Sequence, residues 1–413
     1  MHSSATVLLA LGLVCGSASA QRTIVVSPTG NFRSVTAAVA AARPHDRILV
    51  KPGVYREPTI VVGKPVDIIG EGFPVLDGAG ARGIMTVTAD SVTIRGLHFE
   101  HGGTSFVEDW AAVKVINAGD CAIEDNLIDD AFFGIYLARV SGCSIRRNRI
   151  HASRLREMVS GNGIHLWQSN DVTIADNRIS GHRDGIYFEF VRNSTIRGNI
   201  SEKNLRYGLH FMFSDDCRYV ANVFRNNGAG VAVMFTHRVQ MIGNRFEDNW
   251  GSAAYGLFLK EISDSRLERN VFARNTTALV ADGANRLVAT QNDFTDNGWA
   301  VRLEASTDLA SFTRNNFAGN TFDVATNSNL QTTTFSGNYW DDYTGFDVDR
   351  NGVGDVPHRP VRLFSMIVAQ NAPAIILMRS PFVRLLDAAE RAIPALTPES
   401  LEDDTPAMRR LRW

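Results

Sequence analysis

Six short segments of the chain begin with a glycine and then alternate between apolar and other side chains. Strict alternation is typical of a β-strand, in which successive side chains point to opposite faces. The pattern therefore predicts one strand per segment, with its aliphatic residues and phenylalanines facing a core. The segments read GIYL, GIHLW, GIYFE, GLHFM, GVAVM and GLFLK, and they start at Gly134, Gly163, Gly185, Gly208, Gly230 and Gly256.

Asparagine recurs between these segments at a nearly constant interval of 22 or 23 residues. Two longer intervals, of 29 and 26 residues, indicate insertions around Arg154–Gly161 and Trp250–Ala254. Repeats of this length are too short for the helix-pair solenoids, whereas short strands joined by Asn and Gly turns fit one coil. We predict an all-β fold, a right-handed parallel β-helix of about ten stacked coils. The recurring residues are Asn126, Asn148, Asn177, Asn199, Asn222, Asn244, Asn270, Asn292, Asn315 and Asn338.

Two more columns, three and five residues before each asparagine, are mostly apolar or small and are predicted to face inward. One of them contains Cys121, Cys143 and Cys217. We expect these cysteines to act as core fillers, the commonest fate of a free cysteine. Cys121 and Cys143 fall on adjacent coils, so a disulfide between them is geometrically possible.

The ends of the stack need protection, because open strand edges invite aggregation. Val35–Arg43 is predicted to form a short N-terminal helical cap before the strand Arg47–Val50. Pro381–Ile393 has helical spacing, and the polar segment beyond Pro394 is predicted to be an extended arm. The predicted boundaries are a β-helix over 21–360 and a helical and extended C-terminal tail over 361–413.

Residues 1–20 are predicted to be a signal peptide. Val7–Val14 is a short apolar run, and Ala18-Ser19-Ala20 supplies small residues for cleavage near Ala20. We therefore expect a periplasmic protein. The net charge of −2 and the lack of any Lys/Arg run argue against a nucleic-acid partner.

If the aliphatic positions face inward, the alternate positions form two outward ladders. Such a face is unusually rich in His, Met and aromatic residues for one that meets only water. Imidazole and thioether ligands on neighbouring coils would suit Cu(I). Alternatively, an insertion or a partner protein covers the stripe. The first ladder is Tyr136, His165, Tyr187, His210, Ala232 and Phe258; the second is Ala138, Trp167, Glu189, Met212, Met234 and Lys260.

His210, Met212 and Met234 form the tightest predicted cluster and are our first choice of copper ligands. His165 and Glu189 flank this cluster in the ladders. Loops could bring in two more ligands, Met158 and His237.

Four segments of the chain resemble the NosD family of periplasmic β-helix proteins. They are RYGLHFMFSDD from Arg206, NGAGVAVMFTHR from Asn227, GNYWDDYTGFDVDRNGVGDVPHRP from Gly337 and SPFVRLLDAAERAIPALTPESL from Ser380. The resemblance extends over essentially the whole chain after the signal peptide. The last two segments are the more specific, because coils alone are shared with many carbohydrate-active β-helices.

By resemblance, the chain takes up Cu(I) and passes it on for assembly of the copper–sulfur site of nitrous oxide reductase. The implied partners are an ABC transporter, composed of a membrane subunit (NosY) and an ATPase (NosF), and a copper chaperone lipoprotein (NosL). The C-terminal tail would dock on the membrane subunit and make the protein peripheral to the inner membrane. His210, Met212 and Met234 lie inside the matching segments.

An acidic loop near the C-terminus has the spacing of the start of a calcium loop, with Gly352 at the sixth position. His358 stands where a bidentate Glu is expected, so the site would be incomplete. The alternative is a turn whose side chains cap backbone N–H groups. The candidate ligands are Asp347, Asp349, Asn351 and Asp355.

Two other functions compete with copper transfer. A carbohydrate lyase or epimerase could recruit Asp184, Glu189, His182, His210 and Arg192 as acid, base and cation. A metal-free scaffold would use the outward aromatic stripe to bind a partner. Methionines at 212 and 234 favour copper, because a lyase has no use for thioethers and a scaffold would tolerate leucine. We therefore expect a protein that is not an enzyme.

Overall fold

The structure is a computed structural model that describes residues 21–153, 156–327, 332–378, 380–393 and 401–413. The predicted signal peptide and the segment just beyond Pro394 lie outside these residues. The chain forms a parallel β-helix of about 14 turns, as the alternating pattern predicted. In a typical turn one short strand joins each of three parallel sheets.

Among the described residues, sheet 1 has 14 strands and sheet 2 has 13, and every pairing is parallel. Those of sheet 1 are Thr23–Val26, Arg47–Val50, Asp67–Gly70, Thr93–Arg95, Ala122–Glu124, Ser144–Arg146, Thr173–Ala175, Thr195–Arg197, Arg218–Val220, Gln240–Ile242, Arg266–Glu268, Val288–Thr290, Ser311–Thr313 and Thr334–Ser336. Those of sheet 2 are Val54–Tyr55, Val75–Asp77, His98–Glu100, Leu127–Asp129, Arg149–His151, Arg178–Ser180, Ile200–Glu202, Val223–Arg225, Arg245–Glu247, Val271–Ala273, Asp293–Thr295, Asn316–Ala318 and Tyr339–Trp340.

Sheet 3 has 12 strands and contains all six glycine segments. A Cβ added at Gly230 would lie 2.1 Å from the carbonyl oxygen of Gly256 on the next turn. The glycines are therefore required by close packing of one turn on another. The strands are Ile60–Val62, Met85–Val87, Ala111–Ile116, Phe133–Ala138, Ile164–Trp167, Asp184–Glu189, Tyr207–Met212, Ala229–His237, Tyr255–Ser263, Thr277–Asp282, Trp299–Leu303 and Phe322–Thr326.

The recurring asparagines form a buried ladder between sheets 1 and 2. Oδ1 of Asn199 accepts hydrogen bonds from the backbone N–H and from Nδ2 of Asn177, at 2.9 and 3.0 Å. Nδ2 of Asn199 in turn donates to the carbonyl of Ile174. These bonds satisfy polar groups that would otherwise be buried without partners. A second ladder, which the sequence analysis missed, consists of Asn204, Asn227, Asn249, Asn275, Asn297 and Asn320.

The count of about ten coils was too low. Sheet 1 has four strands in the turns that precede the turn of Asn126, the first ladder asparagine, and the last of these strands is Thr93–Arg95. In that turn the ladder position holds Leu97, whose backbone N–H donates to Oδ1 of Asn126. The turns before Asn126 have no asparagine at this place, so the asparagine spacing does not reveal them.

Cys121 and Cys143 form a disulfide between adjacent turns, so the expectation that they are free core fillers was wrong. The two cysteines occupy the same column on adjacent turns, where their Cα atoms lie 4.5 Å apart. Cys217 is a free, buried thiol, as expected. Burial raises the pKa of this thiol to about 12, so it stays protonated at neutral pH.

The predicted N-terminal helix is present as α1, Val35–Ala41. Its buried residues Val35, Ala38 and Val39 join the main core. Ser34 caps its start by accepting a hydrogen bond from the Ala37 N–H, an arrangement that stabilises helix N-termini. The helix therefore covers the hydrophobic core at the N-terminal end of the stack.

The C-terminal segment contains α2, Leu363–Gln370, a 3-10 helix, Ala372–Leu377, and α3, Pro381–Ala392. Phe364 of α2 packs on Phe322 in the last strand of sheet 3. Residues 401–413 return to the last turns, where Leu401 and Asp403 are buried. Among the described residues, no helix combines the length and apolar character needed to cross a bilayer.

Candidate metal centre on sheet 3

Both predicted ladders are present on the outer face of sheet 3. The strand register pairs His165 with Tyr187, Tyr187 with His210, and His210 with Ala232. It also pairs Glu189 with Met212 and Met212 with Met234. The alternate residues, such as Leu209 and Phe211, are fully buried. The period-two pattern thus predicted which side chains face outward and which turns they share.

His210 sits at the centre of this face and is largely buried, with 7% of its surface exposed. Its ring packs against those of Tyr187 and Tyr207, with centroids 5.1 and 4.8 Å away. Its Nδ1 lies 3.2 Å from Nη2 of Arg206 and 3.7 Å from Oδ2 of Asp184. Ala232 stands on the next turn in register with His210 and is itself fully buried.

Beside His210, the buried Asp184 forms an ion pair with the partly exposed Arg206. Arg206 donates to the carboxylate through Nε at 2.9 Å and Nη2 at 2.5 Å. Burial alone would raise the pKa of Asp184, but the neighbouring His210 and Arg206 side chains hold it below its usual range. The sequence analysis named Asp184 only as one of five possible catalytic residues of a carbohydrate enzyme, and it did not name Arg206. Arg206 stands one position off the register of Asp184, which pairs with Tyr207, so the alternating pattern gave no signal for this contact.

Met212 and Met234 are in-register neighbours, so their strands lie ~4.8 Å apart. Both are partly exposed. The Tyr187 hydroxyl lies 3.9 Å from Sδ of Met212 and donates to Oε2 of Glu189 at 3.3 Å. Burial, followed by the charge of Glu189, raises the pKa of Tyr187 to about 12, so the hydroxyl keeps its proton. Glu189, Met212 and Met234 are thus in-register neighbours, and His210 lies two residues before Met212 on the same face of its strand; these four residues form the patch.

His165 stands apart from this patch. Its ring is stacked between Tyr136 and Tyr187, with both centroid distances 4.7 Å. Nδ2 of Asn162 lies 3.0 Å from its Nδ1. Burial and the charge of Arg183 lower the pKa of His165 to about 3. The structure thus uses His165 as a neutral member of an aromatic stack, two turns away from His210.

The two candidate ligands from loops also lie outside the patch. Met158 belongs to a one-turn 3-10 helix in the first insertion and is 88% exposed, so it does not pack on the ladders. His237 follows Met234 on the same strand, but Phe235 between them has a positive φ of 54°. Beyond that bend, Nδ1 of His237 makes a 2.6 Å hydrogen bond with Ser263.

The acidic loop forms a tight turn. Asp347 accepts backbone hydrogen bonds from Asn351 and Gly352 at 3.1 and 2.9 Å, and Asp355 accepts one from Val348 at 2.6 Å. Asp349 accepts from both the backbone and Nδ2 of Asn351. These contacts are those of the capped turn that the sequence left as an alternative to calcium binding.

Comparisons with known proteins identify the family of the chain. A family model described as "Periplasmic copper-binding protein (NosD)" matches residues 151–345, which include every ladder residue from His165 onward. A Pseudomonas aeruginosa protein, "Probable ABC transporter binding protein NosD", is 30% identical over 370 residues, covering 84% of this chain and 85% of that protein. The chain belongs to the NosD family. A NosD from Stutzerimonas stutzeri is 25% identical and covers 84% of each chain.

Solved structures similar to this NosD family member confirm the fold. The A-module of the Azotobacter vinelandii mannuronan C-5 epimerase AlgE6 has a TM-score of 0.62 at 15% identity, covering 74% of this chain and 93% of the module. The catalytic unit of an α-1,3-glucanase from Streptomyces thermodiastaticus has a TM-score of 0.61 at 14% identity, covering 76% of this chain and 66% of that one. NosD family members and these enzymes thus share an architecture.

Proposed function

We propose that this chain carries Cu(I) in the periplasm and delivers it for assembly of the copper–sulfur site of nitrous oxide reductase. The observation that carries the proposal is the register of His210, Met212 and Met234 on one outward patch. Thioether and imidazole donors suit Cu(I), whereas oxygen ligands suit magnesium and calcium. The family description, periplasmic copper-binding protein, supports the same cargo.

Partial exposure of the methionines suits transfer. A ligand from a donor or acceptor protein can reach an exposed thioether and replace it, so the ion can pass on without being released to water. Glu189 lies next to Met212 in the same column and supplies a negative charge near the cation. His165, Met158 and His237 are not part of the ligand set that we propose.

The test is an anaerobic titration of Cu(I) into the purified protein against a chromophoric competing chelator. The variants are Met212→Leu/Met234→Leu and His210→Ala, and the matched control is Met158→Leu, which alters an exposed thioether away from the patch. We expect one Cu(I) per chain in the wild type and in the control, and strongly reduced affinity in the patch variants. Wild-type protein that binds no copper would refute the carrier proposal.

We propose that the C-terminal helices dock on the membrane subunit (NosY) of an ABC transporter, whose ATPase is NosF. The names of the two relatives, which describe ABC transporter binding proteins, support such a partner. The 3-10 helix and α3 expose a group of large apolar side chains: Ile375, Ile376, Leu377, Met378, Phe382 and Leu385. In this arrangement the protein is peripheral to the inner membrane, and the lipoprotein NosL is the copper donor.

Co-purification with the NosY–NosF complex tests the docking. We expect Ile376→Ser/Leu385→Ser to lose the complex, because both side chains are highly exposed and apolar, at 86% and 70%. The control, Phe106→Ser, alters a side chain that is 74% exposed on the loop before the strand Ala111–Ile116. Retention of the complex by the helix variant would contradict the proposed interface.

The chain acts in this proposal as a binding protein and not as an enzyme. Both carboxylate oxygens of Asp184 accept hydrogen bonds from Arg206, so this residue is poorly placed to act as a general base. Incubation with polymannuronate and with α-1,3-glucan, followed by analysis of the products, would detect the competing carbohydrate activity. Product formed by the wild type and absent with Asp184→Asn would overturn this part of the proposal.

A further inference from the structure

His210 faces the ion pair of the buried Asp184 and the partly exposed Arg206, which can accept or donate a hydrogen bond at the same ring nitrogen. Asp184 is fully buried, and besides Arg206 it accepts the backbone N–H of Tyr207 at 3.3 Å. A buried charge is costly unless it is paired, and the bidentate contact with Arg206 supplies that pairing. The pair is therefore fixed in position before any ligand arrives.

In the copper-free protein, Arg206 determines which ring nitrogen of His210 carries the proton. A guanidinium can only donate, so its 3.2 Å contact requires Nδ1 of His210 to be the acceptor. In the neutral imidazole the proton then lies on Nε2. Since Nδ1 is turned towards the ion pair, Nε2 is the nitrogen left for a metal, and in this tautomer its lone pair is occupied by a proton.

Binding of copper at Nε2 requires the other tautomer. The proton leaves Nε2 and one is taken up at Nδ1 through solvent, so no net proton is gained or lost. The new Nδ1–H needs an acceptor, and Oδ2 of Asp184 stands 3.7 Å away, within reach of a small rotation of the ring. Histidine ligands commonly donate their second N–H to a carboxylate, which fixes the ring and strengthens the ligand.

We infer that Asp184, held by Arg206, is a positioning residue that selects the metal-binding tautomer of His210. The inference rests on the proposed copper site. In the empty protein Arg206 donates to Nδ1, and in the loaded protein Nδ1–H donates to Asp184. Loading breaks the hydrogen bond from Arg206 before the one to Asp184 can form, and this cost lowers the affinity for copper. A lowered affinity suits a carrier that must release its ion.

The test uses full-length protein with ¹⁵N-labelled histidine. The ring nitrogen shifts of His210, assigned with His210→Ala, report which nitrogen carries the proton before and after addition of Cu(I). We expect Nε2–H without the ion and Nδ1–H with it. An unchanged tautomer in a copper-loaded wild type would overturn the inference and leave the copper site intact.

The matched variant is Asp184→Asn/Arg206→Gln, which removes both charges together and so avoids leaving one of them buried alone. We expect its Cu(I) affinity to fall by about 10- to 100-fold, with Met212 and Met234 unchanged. An affinity equal to that of the wild type would also overturn the inference. If this variant does not fold, the wild-type tautomer measurement decides alone. A wild type that binds no copper would refute the carrier proposal and the positioning role together.

Discussion

Asp403 closes the asparagine ladder by accepting two hydrogen bonds from Asn338 on its Oδ2, from the backbone N–H and from Nδ2, both at 2.9 Å. The same oxygen accepts Nε1–H of Trp340 at 3.2 Å. The last rung of the ladder thus ends on a carboxylate supplied from 65 residues further along the chain. The C-terminal arm supplies the partner that the next asparagine would have supplied.

We predict that Asp403→Ala lowers the free energy of unfolding by about 2–4 kcal/mol, because it leaves the buried donors of Asn338 and Trp340 without an acceptor. Asp404→Ala is the matched control, since this neighbouring carboxylate is exposed. Denaturant unfolding of both variants measures the difference. Equal stability of the two would contradict the role of Asp403 as the end of the ladder.

Close packing of the glycine column gives a second prediction. Gly230→Ala should cost about 3 kcal/mol or more, because the new Cβ would collide with the carbonyl oxygen of Gly256. Gly63→Ala is the control, since the nearest atom to its Cβ is the Thr88 hydroxyl at 3.7 Å. The control should change stability by less than about 0.5 kcal/mol. Thermal unfolding followed by circular dichroism would compare the two.

Most of the fold could be predicted because it repeats a local pattern. The alternation after each glycine shows which side chains face outward, and the asparagine spacing shows which residues of successive turns are in register. Tyr187, His210 and Met212 were therefore assigned to the correct face and turns. Contacts that depend on three dimensions could not be predicted. Arg206 meets Asp184 across turns, and Asp403 reaches Asn338 from a distant segment. No periodicity in the sequence encodes either contact.

The pH dependence of stability provides a third prediction. Burial, together with repulsion from Asp342, raises the pKa of Asp323 from 3.8 to about 7. Between about pH 4 and pH 7, folded Asp323 therefore holds a proton that the unfolded chain has released. The stability that this bound proton contributes is lost as the pH rises from about 4 to about 7. Asp323→Asn should raise the free energy of unfolding at about pH 8 relative to the wild type.

At about pH 5 the same substitution should have much less effect, because folded Asp323 is then protonated and neutral. Urea unfolding of both proteins at the two pH values measures the comparison. An equal change at both values would mean that the effect does not come from ionisation of this carboxyl.

The disulfide gives a fourth prediction. Cys121 and Cys143 are 22 residues apart, and closing a loop of this length in the unfolded chain stabilises the folded state by about 3 kcal/mol. Cys121→Ser/Cys143→Ser should therefore unfold at lower denaturant concentration than the oxidised wild type. Dithiothreitol should weaken the wild type and leave the variant unchanged. A wild type insensitive to reduction would contradict the bond.

The parallel stack also fixes the distance between the strand of Met212 and the C-terminal helices. From the strand of Met212 to the last strand of sheet 3, on which α2 rests, the chain advances five steps of ~4.8 Å, a height of about 24 Å. Backbone hydrogen bonds and an asparagine–asparagine hydrogen bond fix each step, so these turns form one rigid unit. A protein anchored by its tail helices would hold the thioether patch at one constant height above the anchor.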